Sequence, residues 1–214
     1  IAFSIFPVLW IVSASFDNAN SLATQSLIPA NAGIKNYQRL FNKDPNFSFG
    51  ELKYWTWLWN SIKVSGINTI LGVSITTMAA YAFSRLRFKG RVPILKSILL
   101  IQVFPNLLAL VATFALVSNI GNIVPALGLN THAGLIMVYL GGSMGMNIWL
   151  VKGYMDTIPR DIDESAHVDG ANDWQVFTKL ILPLMRPILV TIGILSFIGT
   201  YGDFLMARVL LNDS

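Results

Sequence analysis

The chain has 214 residues, of which 54% are hydrophobic and only 12% charged, with a net charge of +4 and no cysteine. A soluble domain carries about 25% charged residues, so roughly half the usual number is present here. The lack of cysteine excludes disulfides, thiol catalysis and cysteine-ligated metals. Between Lys96 and Lys152 there are 55 consecutive residues without Asp, Glu, Lys or Arg, whereas a bilayer span needs about 20. The chain therefore reads as an integral membrane protein embedded in a lipid bilayer. Its basic residues flank apolar segments, which is the cytoplasmic Lys/Arg excess of membrane proteins and not a nucleic-acid-binding signature.

Five apolar segments follow in chain order. Residues 1–15 form a partial first span, too short for about 30 Å of hydrocarbon. The chain opens at Ile1 inside this run and stops just after another, so a fragment lacking both ends is expected. Residues 16–56 form a long polar connection in which Ile34, Tyr37, Leu40 and Phe41 recur at helical spacing. They predict a short helix lying on the outer membrane surface or, alternatively, a docking surface for a soluble partner. A second span covers 57–84, followed by a basic loop at 85–96. The third span covers 97–118, with a kink expected at Pro105, and Pro125, Gly128 and Asn130 mark the turn that follows. The fourth covers 133–151, with His132 in a helix-capping neighbourhood. A polar segment at 152–179 leads into the fifth span, 180–202, and then 203–214.

Arg85, Arg87, Lys89, Arg91 and Lys96 stand together with no acid among them, which places 85–96 in the cytoplasm. Alternation then puts 152–179 in the cytoplasm and 16–56 and 203–214 outside. Trp55, Trp57 and Trp59 fall where the outer aromatic belt is expected, and Trp149 with Tyr154 at the inner one.

The centres of spans two to four carry no ionisable residue, which equips the chain poorly for ion-coupled transport. No phosphate loop, nucleophile set or metal-ligand cluster stands out, so neither catalysis nor a cofactor is expected in this chain. Gly72, Thr76, Ala80 and Ser84 draw a small-residue stripe down span two, and Gly141 and Gly145 a GxxxG step in span four, both suited to close helix packing. Gln102, Asn106 and Asn147 are amides near membrane depth. They read either as interhelical hydrogen-bonding groups or, for Asn106 and Asn147, as lining of a polar substrate pathway.

The stretch Asp156–Pro183 carries six acids and reads as two short helices. Pro159 and the acids Asp161, Asp163 and Glu164 suit a first turn. Asp169-Gly170 marks a turn, and Asn172 or Asp173 caps a second helix bearing Trp174, Val176 and Phe177. Ala166 and Gly170 are small, which suits a helix resting in a partner's groove.

Glu164-Ser165-Ala166, three residues, Gly170, nine residues, then Leu180-Ile181-Leu182-Pro183 resembles the EAA loop of ABC-importer permeases, E-A-A-x3-G-x9-I-x-L-P. Ser165 and Leu180 are mild departures. LWNSIKVSGINTILG, AYAFSRLRFKGR, FPNLLALVATFALV, GLNTHAGLIMVYLGG and LVKGYMDTIP extend the resemblance over nearly the whole chain, to the MalG-like permeases of ABC maltose/maltodextrin importers and their carbohydrate-uptake relatives. The resemblance implies an all-α polytopic membrane protein with the ABC type I importer permease fold, five spans visible of six. It implies a bacterial or archaeal plasma (inner) membrane location and no enzymatic activity in this subunit.

The implied partners are a second, MalF-like permease subunit, two ATP-binding subunits that hold ATP and Mg, and an extracytoplasmic sugar-binding protein. The implied coupling residues are Glu164, Ser165, Ala166 and Gly170, with Asp169 and Trp174 beside them. The cargo is a maltose/maltodextrin-type sugar or, alternatively, glycerol phosphate or a polyol. A stand-alone secondary carrier is the competing class.

Overall fold

The computed structural model describes residues 2–18, 29, 31–41, 54–104 and 106–211, with the side chains of residues 2, 4, 106 and 107 excepted. The chain divides into two compact units, 1–60 and 61–214. In the first, α1 (Ala2–Ser15) is almost uniformly apolar, and most of its large side chains are exposed, as lipid-facing residues are. The expected short helix is α2 (Lys35–Leu40). It is tied to the end of α1 by Asn36, which donates to the carbonyls of Ser15 and Asp17 at 3.2 and 2.8 Å. Asn36 thus satisfies a C-terminal carbonyl that the helix itself leaves open. The Phe16 and Tyr37 rings close the same contact at 5.4 Å.

The helix α3 (Tyr54–Arg85) spans 32 residues, and its small-residue stripe is buried along its length: Gly72, Thr76, Ala80 and Ser84 all face the interior of the second unit. Beyond Arg85 a five-residue loop ends at Gly90, whose φ of 92° turns the chain into α4 (Arg91–Gln102). Helix α4 thus starts six residues ahead of the span expected at 97–118, and the basic loop shrinks to the five residues between Arg85 and Arg91. The expected single third span is two helices, α4 and α5 (Asn106–Ile123). Pro105, where the kink was expected, lies outside the described residues.

Pro125 opens a single 3-10 turn, and Asn130 takes a left-handed φ of 60°. Helix α6 (His132–Met155) then begins with Thr131 as cap, its hydroxyl accepting the Gly134 N–H at 3.0 Å. Trp149, for which the inner belt is expected, packs against α4 and donates its indole N–H to the Leu95 carbonyl at 3.2 Å.

The polar segment forms α7 (Asp161–Val168) and α8 (Asp173–Leu184), and α9 (Arg186–Gly202) follows at a 75° bend. The fifth span therefore does not start at 180: α8 runs through that point, and its Val176–Ile181 portion is a π-helix. Pro183 has no N–H for the Lys179 carbonyl, and the wider π turn absorbs that mismatch. After a break at Asp203-Phe204 the chain resumes as α10 (Leu205–Leu210). Leu210 is buried against Val117 and Leu135, and its carbonyl accepts the Asn130 N–H at 2.8 Å. Residues 205–210 thus pack with α5 and α6.

Among the described residues, α3 and α6 are each long and apolar enough to cross a membrane, and α8–α9 is a third crossing if the bent pair counts as one. The main core joins Ala80 and Tyr81 of α3, Val151 and Met155 of α6, Ala166 of α7, and Val176, Phe177 and Ile181 of α8. This core sits directly beneath the polar helix–turn–helix.

Candidate functional site: a clamped helix–turn–helix and a polar groove

Helix α7 ends as its sequence dictates. Gly170 adopts φ +84°, its N–H bonds to the His167 carbonyl at 3.0 Å, and the Ala171 N–H bonds to the Ala166 carbonyl at 2.9 Å. These two bonds are the Schellman stop, in which a left-handed residue closes the last turn. An added Cβ at Gly170 would meet nothing within 4 Å, so glycine is required here for backbone conformation and not for space. Asn172 then starts α8 with a capping box: its side chain accepts the Gln175 N–H at 2.9 Å while the Gln175 side chain accepts the Asn172 N–H at 3.0 Å. His167 braces the turn, with Nδ1 2.9 Å from the Ala171 carbonyl and Nε2 3.4 Å from Asp173.

The turn is fastened to the end of α3 by a set of contacts invisible in the motif. Arg85 Nε lies 2.6 Å from Asp163, with side chains only 6% and 13% exposed. The Arg85 guanidinium also donates to the Ile158 carbonyl at 2.9 Å, and Arg160 donates back to the Ser84 carbonyl at 2.9 Å. Ser84 donates to Asp156 at 2.6 Å, and Lys152 pairs with the same carboxylate at 2.5 Å. Arg160 thus bonds a carbonyl in the last turn of α3 that the helix itself leaves open.

Burial pushes the Asp163 carboxyl above the ordinary carboxylate value, although Arg85, and then His167 and Arg160, pull it down. At Asp156 burial also opposes ionisation, but the bonds from Lys152 and Ser84 prevail and hold its carboxyl below the ordinary value.

Of the six residues expected to couple, Glu164, Ser165, Asp169, Gly170 and Trp174 are exposed and Ala166 is buried in the chain's own core. Ala166 packs in one core cluster with Val176, Phe177 and Ile181 of α8. Val168, which the motif does not single out, stands 88% exposed at the tip of α7.

A second feature is an open groove of about 650 Å³ bordered by α3, α5, α6, α9 and α10. Asn147 lies on its wall, with Asn68, Thr113, Ser143 and Ser196. The Asn106 side chain, the other pathway residue expected, lies outside the described residues. Gln102 donates to the Gly142 carbonyl at 3.3 Å, as an interhelical amide should. The GxxxG step is split in role: Gly145 lies against the Gln102 side chain, whereas Gly141 has open space and borders the groove.

A body of long apolar helices with an open groove between them, and a polar helix–turn–helix clamped to its helix ends, has the make-up of a transport permease subunit. Residues 71–214 match the family model described as binding-protein-dependent transport system inner membrane component. The maltose/maltodextrin transport system permease protein MalG of Vibrio vulnificus (strain YJ016) is 47% identical over 98% of this chain and 72% of its own length. MalG of Escherichia coli (strain K12) is 41% identical over 100% of this chain and 73% of its own length. Among solved structures, a bacterial ABC transporter involved in the import of the acidic polysaccharide alginate superposes with a TM-score of 0.71 at 26% identity, covering 98% of this chain and 69% of that one. The chain belongs to the family of binding-protein-dependent transport system inner membrane components.

Proposed function

We propose that this chain is the membrane permease subunit of an ATP-driven importer of maltose/maltodextrin-type sugars, and that α7 and the turn after it are the element through which ATP hydrolysis in partner subunits moves the spans. The single observation that carries this reading is the pairing of a rigid, exposed α7 tip with a buried clamp onto α3. Force applied at Val168, Glu164 or Asp169 has a direct path through Asp163 and Arg85 to a 32-residue helix. Within this reading 85–96 and 152–179 face the cytoplasm, 16–56 faces outward, and a second MalF-like permease, two ATP-binding subunits and a sugar-binding protein complete the transporter.

The energetic need is definite. Moving a conformational equilibrium from 1:99 to 99:1 takes about 5.5 kcal/mol of differential binding. The partner ATPases supply it in this reading, and the coupling element is where it enters the chain.

The test uses the full-length protein co-expressed with its genomic neighbours and purified in mild detergent. Val168→Asp changes a residue that touches little of its own chain, so folding should be unaffected. The variant is expected to lose co-purification of the ATP-binding subunit and sugar-stimulated ATP hydrolysis. A wild-type protein that purifies alone and still moves solute in vesicles overturns the reading in favour of a stand-alone carrier.

A further inference from the structure

No acid occurs between Glu51 and Asp156, and Arg87, Lys89, Arg91 and Lys96 stand just past the end of α3. The depth of that end follows from its length. Helix α3 is apolar enough to cross a membrane, and the 21 residues between Lys63 and Arg85 carry no charge. At 1.5 Å per residue they span about 31 Å, against about 30 Å of hydrocarbon. The loop after Arg85 therefore lies at the headgroup layer. An open groove of about 510 Å³ is bordered there by Arg87, Lys89 and Arg91, together with Phe88, Val92 and Pro93.

The fold makes no use of these charges. Arg87, Lys89 and Lys96 are exposed and form no ion pair or side-chain hydrogen bond among the described residues. Arg91 acts on Asp156 through space, but that carboxylate is already bonded by Lys152 and Ser84. Helix stability does not account for Arg91 either, since α4 has no acid in its first turn and a cation at that end opposes the helix dipole. The loop is nevertheless held in place: Phe88 packs on Phe83 at 5.6 Å, and Gly90 sets the turn. Leu86, Val92 and Ile94, all exposed, put apolar side chains beside the cations. The cytoplasmic Lys/Arg excess accounts for basic residues in this loop, but not for a groove that joins them to exposed apolar side chains.

We propose that this groove binds the headgroup of an anionic phospholipid, Arg87, Lys89 and Arg91 taking its phosphate while Leu86, Val92 and Ile94 lie against its acyl chains. Clusters of about four Lys/Arg directly beside a membrane helix attract anionic headgroups, each cation being worth about fivefold in binding. Arginine suits the site because its fork takes two phosphate oxygens at once. A zwitterionic lipid carries the same phosphate, but its ammonium meets the same cations. An acidic surface of an ATP-binding subunit would match the charges and leave the apolar side chains unexplained. The helix–turn–helix, by contrast, exposes the acids Asp161, Glu164, Asp169 and Asp173, which an anionic bilayer repels. The two polar surfaces thus divide by sign, the acidic one suited to a water-borne partner and the basic one to lipid. The inference rests on the reading that places 85–96 in the cytoplasm, and adds a lipid class to it.

The experiment is native mass spectrometry of the complete transporter in mild detergent, titrated with phosphatidylglycerol or with phosphatidylcholine. One spectrum weighs the subunits and counts the bound lipids. The wild type should prefer phosphatidylglycerol by roughly 25- to 125-fold, and Arg87→Gln/Lys89→Gln, which leaves one cation on the groove, by about fivefold or less. Arg87→Lys keeps the charge and should stay within about threefold of wild type. Independently, Val92→Glu adds an acid to the groove at a helix position that favours acids, and should lower the preference about fivefold. That variant keeps the proposal testable should the neutralised one fail to assemble. A preference unchanged by the neutralisation or by Val92→Glu overturns the lipid site. So does displacement of phosphatidylglycerol by millimolar inorganic phosphate, the mark of a site for the free anion. A neutralised complex that keeps its lipid but loses the ATP-binding subunits overturns it too, in favour of a protein contact. A wild-type spectrum without ATP-binding subunits overturns the importer reading instead.

Discussion

Removing Arg85 should unfasten α7 from α3 without unfolding the chain, and the size of the effect can be worked from the contacts. The guanidinium and the Asp163 carboxylate are almost fully buried at 2.6 Å. With charge centres about 4 Å apart and an effective dielectric of about 20, their attraction is about 4 kcal/mol. Burial takes back much of this, which is why the Asp163 carboxyl lies above its ordinary value despite the arginine beside it. The pair therefore adds little net stability compared with an apolar contact, yet breaking it is expensive. Arg85→Met strands a buried carboxylate and removes the bond to Ile158, a change that costs about 3–5 kcal/mol. Asp163→Asn leaves an acceptor for the guanidinium and should cost about 2 kcal/mol. The double variant Arg85→Met/Asp163→Leu removes both charges and should fall within about 1–2 kcal/mol of wild type. Hydrogen exchange at the α7 amides reads this directly, since each 1.4 kcal/mol is tenfold in the opening equilibrium. Arg85→Met should speed α7 exchange by roughly 10²–10³-fold, and the double variant far less. Additive effects within about 0.5 kcal/mol would refute the clamp as a coupled unit.

The turn itself makes a sharper demand on backbone than on space. Gly170→Ala should destabilise α7 by about 1–2 kcal/mol through its positive φ alone, with Gly170→Asn milder, as thermal melting of the purified protein would register. In α6 the two glycines should behave oppositely. Gly145→Val drives a side chain into Gln102 and should cost about 1–3 kcal/mol, while Gly141→Ala, with open space around it, should leave melting almost unchanged. The Asp156 carboxyl is held below its ordinary value, so its contribution is full above about pH 4 and is lost as pH falls through the depressed value. An acid titration of melting should therefore flatten at its low-pH end in Asp156→Asn.

How far the sequence reaches depends on whether a feature is local. The stripe Gly72, Thr76, Ala80, Ser84 is local periodicity, and it is buried as that periodicity predicts. The Thr131 cap and the Asn172 capping box are local too, and each closes within three residues. The turn at Asp169-Gly170 was legible for the same reason.

What the sequence could not show were pairings across long separations. Arg85 reads as one more basic residue after an apolar run, and only the fold brings it to Asp163, 78 residues later. Ala166 illustrates the cost of that gap: its small side chain fits equally a partner's groove or the chain's own core, and periodicity cannot tell the two apart. The contact the fold supplies is with α8, whose π segment precedes Pro183 and a 75° bend. Asp203 was overlooked for a related reason. By hydropathy it is the first residue beyond span five, where a charge needs no explanation. The chain instead resumes as α10, which Asp203 caps, and packs Leu210 against α5 and α6, so Asp203 borders the groove. The same residue thus passes from a tail position to a helix cap on the groove because the chain does not leave the helical body where its hydropathy falls, and only the fold carries that change of context.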